Sequence, residues 1–241
     1  MVEPTEEYTA ARYAQDAVEA VESIYARGGW PILVGGTGLY YRALTRGLFP
    51  GPGADAEMRG RLDAIAARRS VEHLHRMLSR VDPESALRIL PRDRKRIVRA
   101  LEVYFLTGTP LTEHFASTVS PLADYQVVSV ALSPPLSLIA ERVKRRVDAQ
   151  FDQGLMDEVR TLLERGVPET ARPFGGLVYR QALELLHGVR DEAETRELIT
   201  RENRHYARRQ LIWFRKEPNL VWLQTSGEDP DTLTAVEALL P

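Results

Sequence analysis

The chain has 241 residues, 44% of them hydrophobic, no cysteine, and a formal net charge of −2. The absence of cysteine excludes a disulfide scaffold or a thiolate metal site and fits a reducing interior, so the cytoplasm is the expected address. No apolar run approaches the ~20 residues needed to span a bilayer, and the acidic start MVEPTEEYTAARY has no signal core, so the chain reads as soluble and globular.

A first helix is expected from about Thr9 to Arg27, with Thr9 as N-cap and Gly28 and Gly29 as the stop. The stretch WPILVGGTGLYYRALTRGL (Trp30–Leu48) follows and is the most informative one. Ile32, Leu33 and Val34, bounded by Pro31 and two glycines, read as a strand buried on both faces of a parallel sheet. Gly35 and Gly36 are expected to turn with positive φ and to leave amides uncovered, and Thr37 to cap a helix carrying Leu39, Tyr40, Ala43 and Leu44. Ligands of open α/β sheets bind beyond the carboxyl ends of strands, and a helix N-terminus favours anions, so this turn is a candidate phosphate site. A tight turn with a plain helix cap accounts for the same residues. It is not a Walker A loop, because GGTGLYY has no lysine to reach phosphates.

Between Pro50 and Ser120 the pattern is helical, with helices expected at about Ala54 to Arg69, Ser70 to Arg80, Pro91 to Thr107, and a short one after Thr112. The third carries an apolar stripe of Ile97, Leu101, Tyr104 and Phe105, and a basic side of Arg92, Lys95, Arg96 and Arg99; a solvated face explains such a side more readily than a binding one. Gln126 to Leu132 reads as a second strand, ended by Ser133-Pro134-Pro135. A long helical stretch with Arg142, Lys144, Arg145 and Arg146 leads into GLMDEV, then a loop at Pro173 to Gly176 and a helix at Tyr179 to Leu186. The basic helix from about Glu194 to Lys216 has Ile199, Tyr206, Ala207, Leu211 and Phe214 as its packing side and Arg201, Arg204, Arg208 and Arg215 on a polar side. Leu220 to Leu223 is a third expected strand. The expected organisation is an α/β core of residues 1–48 and 119–241 with a helical insertion lobe of residues 49–118. So thin a sheet, met so early in the chain, leads to the expectation that sheet-forming sequence precedes Met1.

VGGTGLYYRAL, DRKRIVRALEVY, RVDAQFDQGLMDEV, GLVYRQALELLHG and RHYARRQLIWFRK, in this order, resemble the tRNA dimethylallyltransferase (tRNA isopentenyltransferase) family. The resemblance implies a P-loop-NTPase-like parallel sheet core with its N-terminal strands missing. It also implies transfer of a dimethylallyl group from dimethylallyl diphosphate to N6 of the adenine 3′ of the anticodon in tRNA, with Mg²⁺. In register with the family, Thr37 falls at the reaction channel and Arg146 at an arginine that binds the diphosphate, with Gly35 and Gly36 as further diphosphate contacts. Arg59, Lys95, Arg96, Arg99, Tyr179, Arg180, Gln181, Arg204, Arg208 and Arg209 fall at tRNA-contacting positions. The family's P-loop and its proton-accepting aspartate match no position here, so a truncated chain, nearly inactive alone, is expected; no metal ligand is identifiable. Val178 stands where the family has glycine in GYRQ, which implies a different path for residues 174–178. A monomer is expected. A small-molecule P-loop kinase and a non-catalytic helical RNA-binding module are the rival readings; steep loss of RNA affinity with salt would separate the RNA readings from the kinase.

Overall fold

In the computed structural model, which describes residues 2–49 and 51–240, contacts group the chain into two compact units. Met1, Pro50 and Pro241, which bound ranges expected above, lie outside the described residues. One unit comprises Met1–Arg12, Ile32–Tyr41 and Gln126–Pro241, the other Tyr13–Pro31 and Arg42–Tyr125. Among the described residues no helix is long and apolar enough to cross a membrane.

The second unit is helical because aspartates cap its segments. Asp55 accepts a hydrogen bond from the Met58 amide (2.7 Å) to open α3 (Ala56–Arg69), which follows α1 (Ala10–Ala26) and α2 (Gly38–Thr45). α4 (Val71–Val81) ends at Asp82, whose carboxylate accepts from the Ser85 amide and starts α5 (Pro83–Arg88). Asp93 starts α6 (Arg94–Thr107), three residues later than expected because Pro91 and Arg92 form a turn; Gly108, at φ 74°, ends it before α7 (Leu111–Ala116). α5 was not anticipated, since six residues are too few to show a helical period. Leu62, Leu74, Leu78, Ile97 and Leu101 are fully buried between α3, α4 and α6, each contributing about 1.5–3 kcal/mol. Val21 of α1 and Leu44 of α2 bury with Leu122 in a smaller cluster.

The first unit is α/β. β1 (Ser129–Leu132) pairs in parallel with β2 (Leu220–Leu223), and Ser133 N–H extends the ladder to Leu223 O at 2.8 Å. α8 (Leu136–Asp152), α9 (Leu155–Glu164), a 3₁₀ turn (Arg172–Gly175) where a loop was expected, α10 (Tyr179–Leu186), α11 (Glu192–Phe214) and α12 (Pro230–Glu237) complete it. Gln126 to Val128 stay outside the strand because β2, four residues long, offers them no partner.

The expected strand Ile32–Val34 is not formed. Its residues join no strand, with Ile32 82% and Val34 94% exposed, because among the described residues the only sheet is β1–β2. Gly35 and Gly36 likewise lack the positive φ expected of them. The absence of a side chain matters at Gly36 and Gly38 for a different reason: a Cβ at Gly36 would run into the Gln210 amide, and one at Gly38 into the Trp213 indole.

Candidate functional site

α8 and α11 pack together, and each turns one stripe toward a common cavity. Val143, Arg146, Val147 and Gln150 come from α8, Asn203, Tyr206, Ala207 and Gln210 from α11, both at spacings of three, four and seven that place side chains on one helix face. Gly154, at φ 95°, turns the chain from α8 into α9 and so brings Leu155 and Glu158 to the wall; Leu177, Val178 and Tyr179 close another side. The cavity holds about 730 Å³.

Its polar groups are of distinct kinds. Arg146 is exposed and makes no hydrogen bond or ion pair among the described residues. Gln150, Gln153, Asn203 and Gln210 supply amides, which can donate and accept. Asn203 Nδ2 donates to Ile199 O at 2.9 Å, and Gln210 Nε2 donates to Gly36 O at 2.8 Å. The Tyr179 hydroxyl donates to Glu158 Oε1 at 2.9 Å; burial first, and then the neighbouring carboxylate, push the phenol up to about 12. The Tyr206 ring, placed on the packing side by the sequence pattern, is instead partly exposed at the cavity, with the Arg209 guanidinium 5.6 Å from its centroid.

The glycine turn is fastened to this same helix. Thr37 is exposed, and its carbonyl accepts from the Tyr41 amide at 3.1 Å, which makes it the residue that opens α2. The Gln210 bond holds the turn at Gly36, the Tyr41 hydroxyl donates to Ser129 Oγ of β1 (3.1 Å), and the Tyr41 ring meets Phe214 edge-on. Arg146, Tyr179 and, through Gln210, Gly36 are thus brought to one place. Among the described residues Arg204 reaches only the Ala140 carbonyl, at 3.5 Å, and Arg208 lies with Arg215 at a second hollow beside Ser133 and Gln224.

Other expected site residues are engaged internally. Arg180 pairs with Glu202 at 2.8 Å. Gln181 is fully buried: its Oε1 accepts from the Val178 amide at 2.8 Å and its Nε2 donates to Glu202 at 2.6 Å. These bonds hold Val178 at φ 75°, ψ −61°, a conformation that a β-branched residue rarely adopts, so the glycine-to-valine departure is absorbed as strain. In the other unit Arg59 clasps the fully buried Glu102 with two bonds (2.8 and 3.0 Å), and Arg99 adds a third (2.8 Å) while also donating to Pro52 O. Burial alone pushes the Glu102 carboxyl up, but the bonds from Arg59, Arg99 and the Asp55 amide outweigh it and hold the group below its ordinary 4.5. Lys95 and Arg96 remain exposed; Arg96 has only a 3.5 Å contact to Asp93.

No group of three or more His, Asp or Glu side chains able to hold an ion occurs among the described residues. Mg²⁺, which the resemblance implies, is usually held by one or two carboxylates together with substrate phosphates and does not need such a group.

The sequence matches the model of the IPP transferase family over residues 1–217. The chain belongs to the IPP transferase family. Among its relatives, the tRNA dimethylallyltransferase of Solibacter usitatus is 42% identical over 96% of this chain and 75% of the relative, and that of Geobacter metallireducens 39% identical over 98% and 76%. The crystal structure of the tRNA isopentenylpyrophosphate transferase from Bacillus halodurans superposes with a TM-score of 0.65 at 32% identity, covering 98% of this chain and 73% of that one. A eukaryotic dimethylallyltransferase acting on tRNA shares the fold, with a TM-score of 0.76 at 23% identity, covering 99% and 62%. This IPP transferase chain is accordingly a prenyltransferase-family enzyme with an α/β core. Sequence reasoning missed Gln150, Gln153, Glu158, Asn203 and Gln210, although the paired stripes of α8 and α11 were visible as periodicity.

Proposed function

We propose that the chain transfers a dimethylallyl group from dimethylallyl diphosphate to the exocyclic N6 of the adenine 3′ of the anticodon in tRNA. The observation that carries this reading, beside the family membership, is Arg146, unpaired among the described residues, in a cavity whose wall also holds four side-chain amides, two tyrosines, one carboxylate and aliphatic residues. In the transfer N6 bonds to the allylic C1 as the C1–O bond breaks. A proton leaves N6 for water, and the departing diphosphate gains negative charge. A fixed guanidinium, planar and permanently charged, meets that charge; losing such a donor typically costs ~2.7–4 kcal/mol of barrier.

Amides of Gly35 and Gly36 and the Thr37 hydroxyl, anchored through Gln210, are the further contacts for base or diphosphate in this reading. The adenine must leave the anticodon-loop stack to react, and Tyr179 and Tyr206 offer ring faces to unstacked bases. Lys95 and Arg96 supply phosphate contacts that fix register without reading sequence, as do Arg204, Arg208 and Arg209 on α11. Arg59, Arg99, Arg180 and Gln181 act by holding backbone in place, since direct RNA contact would require them to exchange their carboxylate bonds. The protein works in the cytoplasm as a monomer.

Transfer of labelled dimethylallyl to an unmodified anticodon stem-loop tests the reading. Arg146→Ala should lower the rate a hundredfold or more with stem-loop affinity unchanged, and Arg96→Ala should weaken stem-loop binding and its salt dependence. Equal defects in both variants would refute the division.

A further inference from the structure

Glu158 lies on the wall of the Arg146 cavity and pairs with no cation among the described residues. Glu102, Glu184, Glu202 and Glu228, by contrast, each meet an arginine. The hydrogen bond that it does accept comes from a neutral group, the Tyr179 hydroxyl. A carboxylate can accept about four hydrogen bonds, so this one leaves most of its capacity unused. The Tyr179 phenol, pushed up to about 12, keeps its proton at neutral pH and donates it to Oε1 at 2.9 Å. The partner thereby fixes the orientation of Glu158 at the foot of α9.

Of the polar groups around the cavity, Arg146 only donates and Gln150, Gln153, Asn203 and Gln210 do both. Glu158 alone among these can only accept. A carboxylate accepts from the exocyclic amines of adenine, cytosine or guanine and repels the carbonyl oxygens of uracil, so it selects amino edges over keto edges. We infer that Glu158, oriented by Tyr179, reads the exocyclic amine of an unstacked loop adenine in the Arg146 cavity. The inference rests on tRNA being the substrate and assigns Glu158 the part of a specificity-determining residue, with Tyr179 as the residue that positions it.

The experiment measures equilibrium binding of an unmodified anticodon stem-loop and of variants in which each loop adenine is replaced in turn by purine, which lacks the amine. With the wild-type chain one replacement should weaken binding by roughly 10- to 100-fold, the range for a hydrogen bond to a charged acceptor. Glu158→Ala should bind the parent loop correspondingly more weakly and show no further loss with that purine loop. Tyr179→Phe should retain the loss at reduced size, which a merely structural tyrosine would not change selectively. Tolerance of every purine replacement by the wild type, or persistence of the full loss in Glu158→Ala, would overturn the inference while leaving the tRNA reading intact. No binding of the parent loop by the wild type would overturn both.

Discussion

Replacing Glu102 by glutamine tests how the helical unit holds its basic residues. The carboxylate is fully buried and receives four donors: the Asp55 amide (2.8 Å), Arg59 Nε (2.8 Å) and NH2 (3.0 Å), and Arg99 NH1 (2.8 Å). Glutamine keeps one carbonyl oxygen for two of these and turns an NH₂ group toward the rest. Breaking a buried pair usually costs ~3–5 kcal/mol. The Arg59 and Arg99 side chains are 43% and 33% exposed, so water recovers part of that loss, and the expected cost is about 2–4 kcal/mol. Urea unfolding followed by far-ultraviolet circular dichroism measures it, and hydrogen exchange at the Asp55 amide should lose protection at the same time. The acid limb has a definite sign. A carboxyl held below 4.5 in the folded state stabilises above its unfolded value, and that contribution disappears as pH falls through the folded value. The gap between wild type and Glu102→Gln should therefore be full at neutral pH and shrink below about 4.5. A cost under about 1 kcal/mol, or a gap that ignores acid, would refute the reasoning.

Ser70, between α3 and α4, has φ 105° and ψ 163°, a region nearly confined to glycine, so Ser70→Gly should raise stability by about 1 kcal/mol in urea titration after the entropic cost of glycine is deducted. At Val178, alanine loses packing and keeps the strain, whereas glycine loses packing and relieves it; Val178→Gly should be more stable than Val178→Ala by about 1 kcal/mol, the reverse of the ordinary order. Gly38→Ala drives a methyl into the Trp213 indole and should destabilise by about 1–3 kcal/mol, with a shift in tryptophan fluorescence.

Much of the fold could be read from local signals. Tyr179–Leu186 and Leu220–Leu223 have the bounds that their apolar patterns suggest, whereas the N-cap at Asp93 starts α6 three residues later than expected. What depends on distant partners was not legible. Ile32–Val34 has strand composition but no neighbour to pair with, and local pattern cannot supply one. Glu102 sits in a helix whose charges read as solvated, and only the approach of Arg59, 43 residues earlier, makes it a buried hub. The basic face of α6 was visible, but the internal engagement of Arg99, beside the exposure of Arg96, was not. In the site Arg146 was signalled by resemblance, whereas Glu158 and the amides emerge only when α8, α9 and α11 converge.

The account depends most on the Arg146 cavity receiving the diphosphate. Titration calorimetry with dimethylallyl diphosphate on the wild-type chain and on Arg146→Ala measures this directly. The account predicts saturable binding to the wild type that weakens at least tenfold in the variant, with unchanged thermal stability. Equal affinity in the two proteins would contradict it.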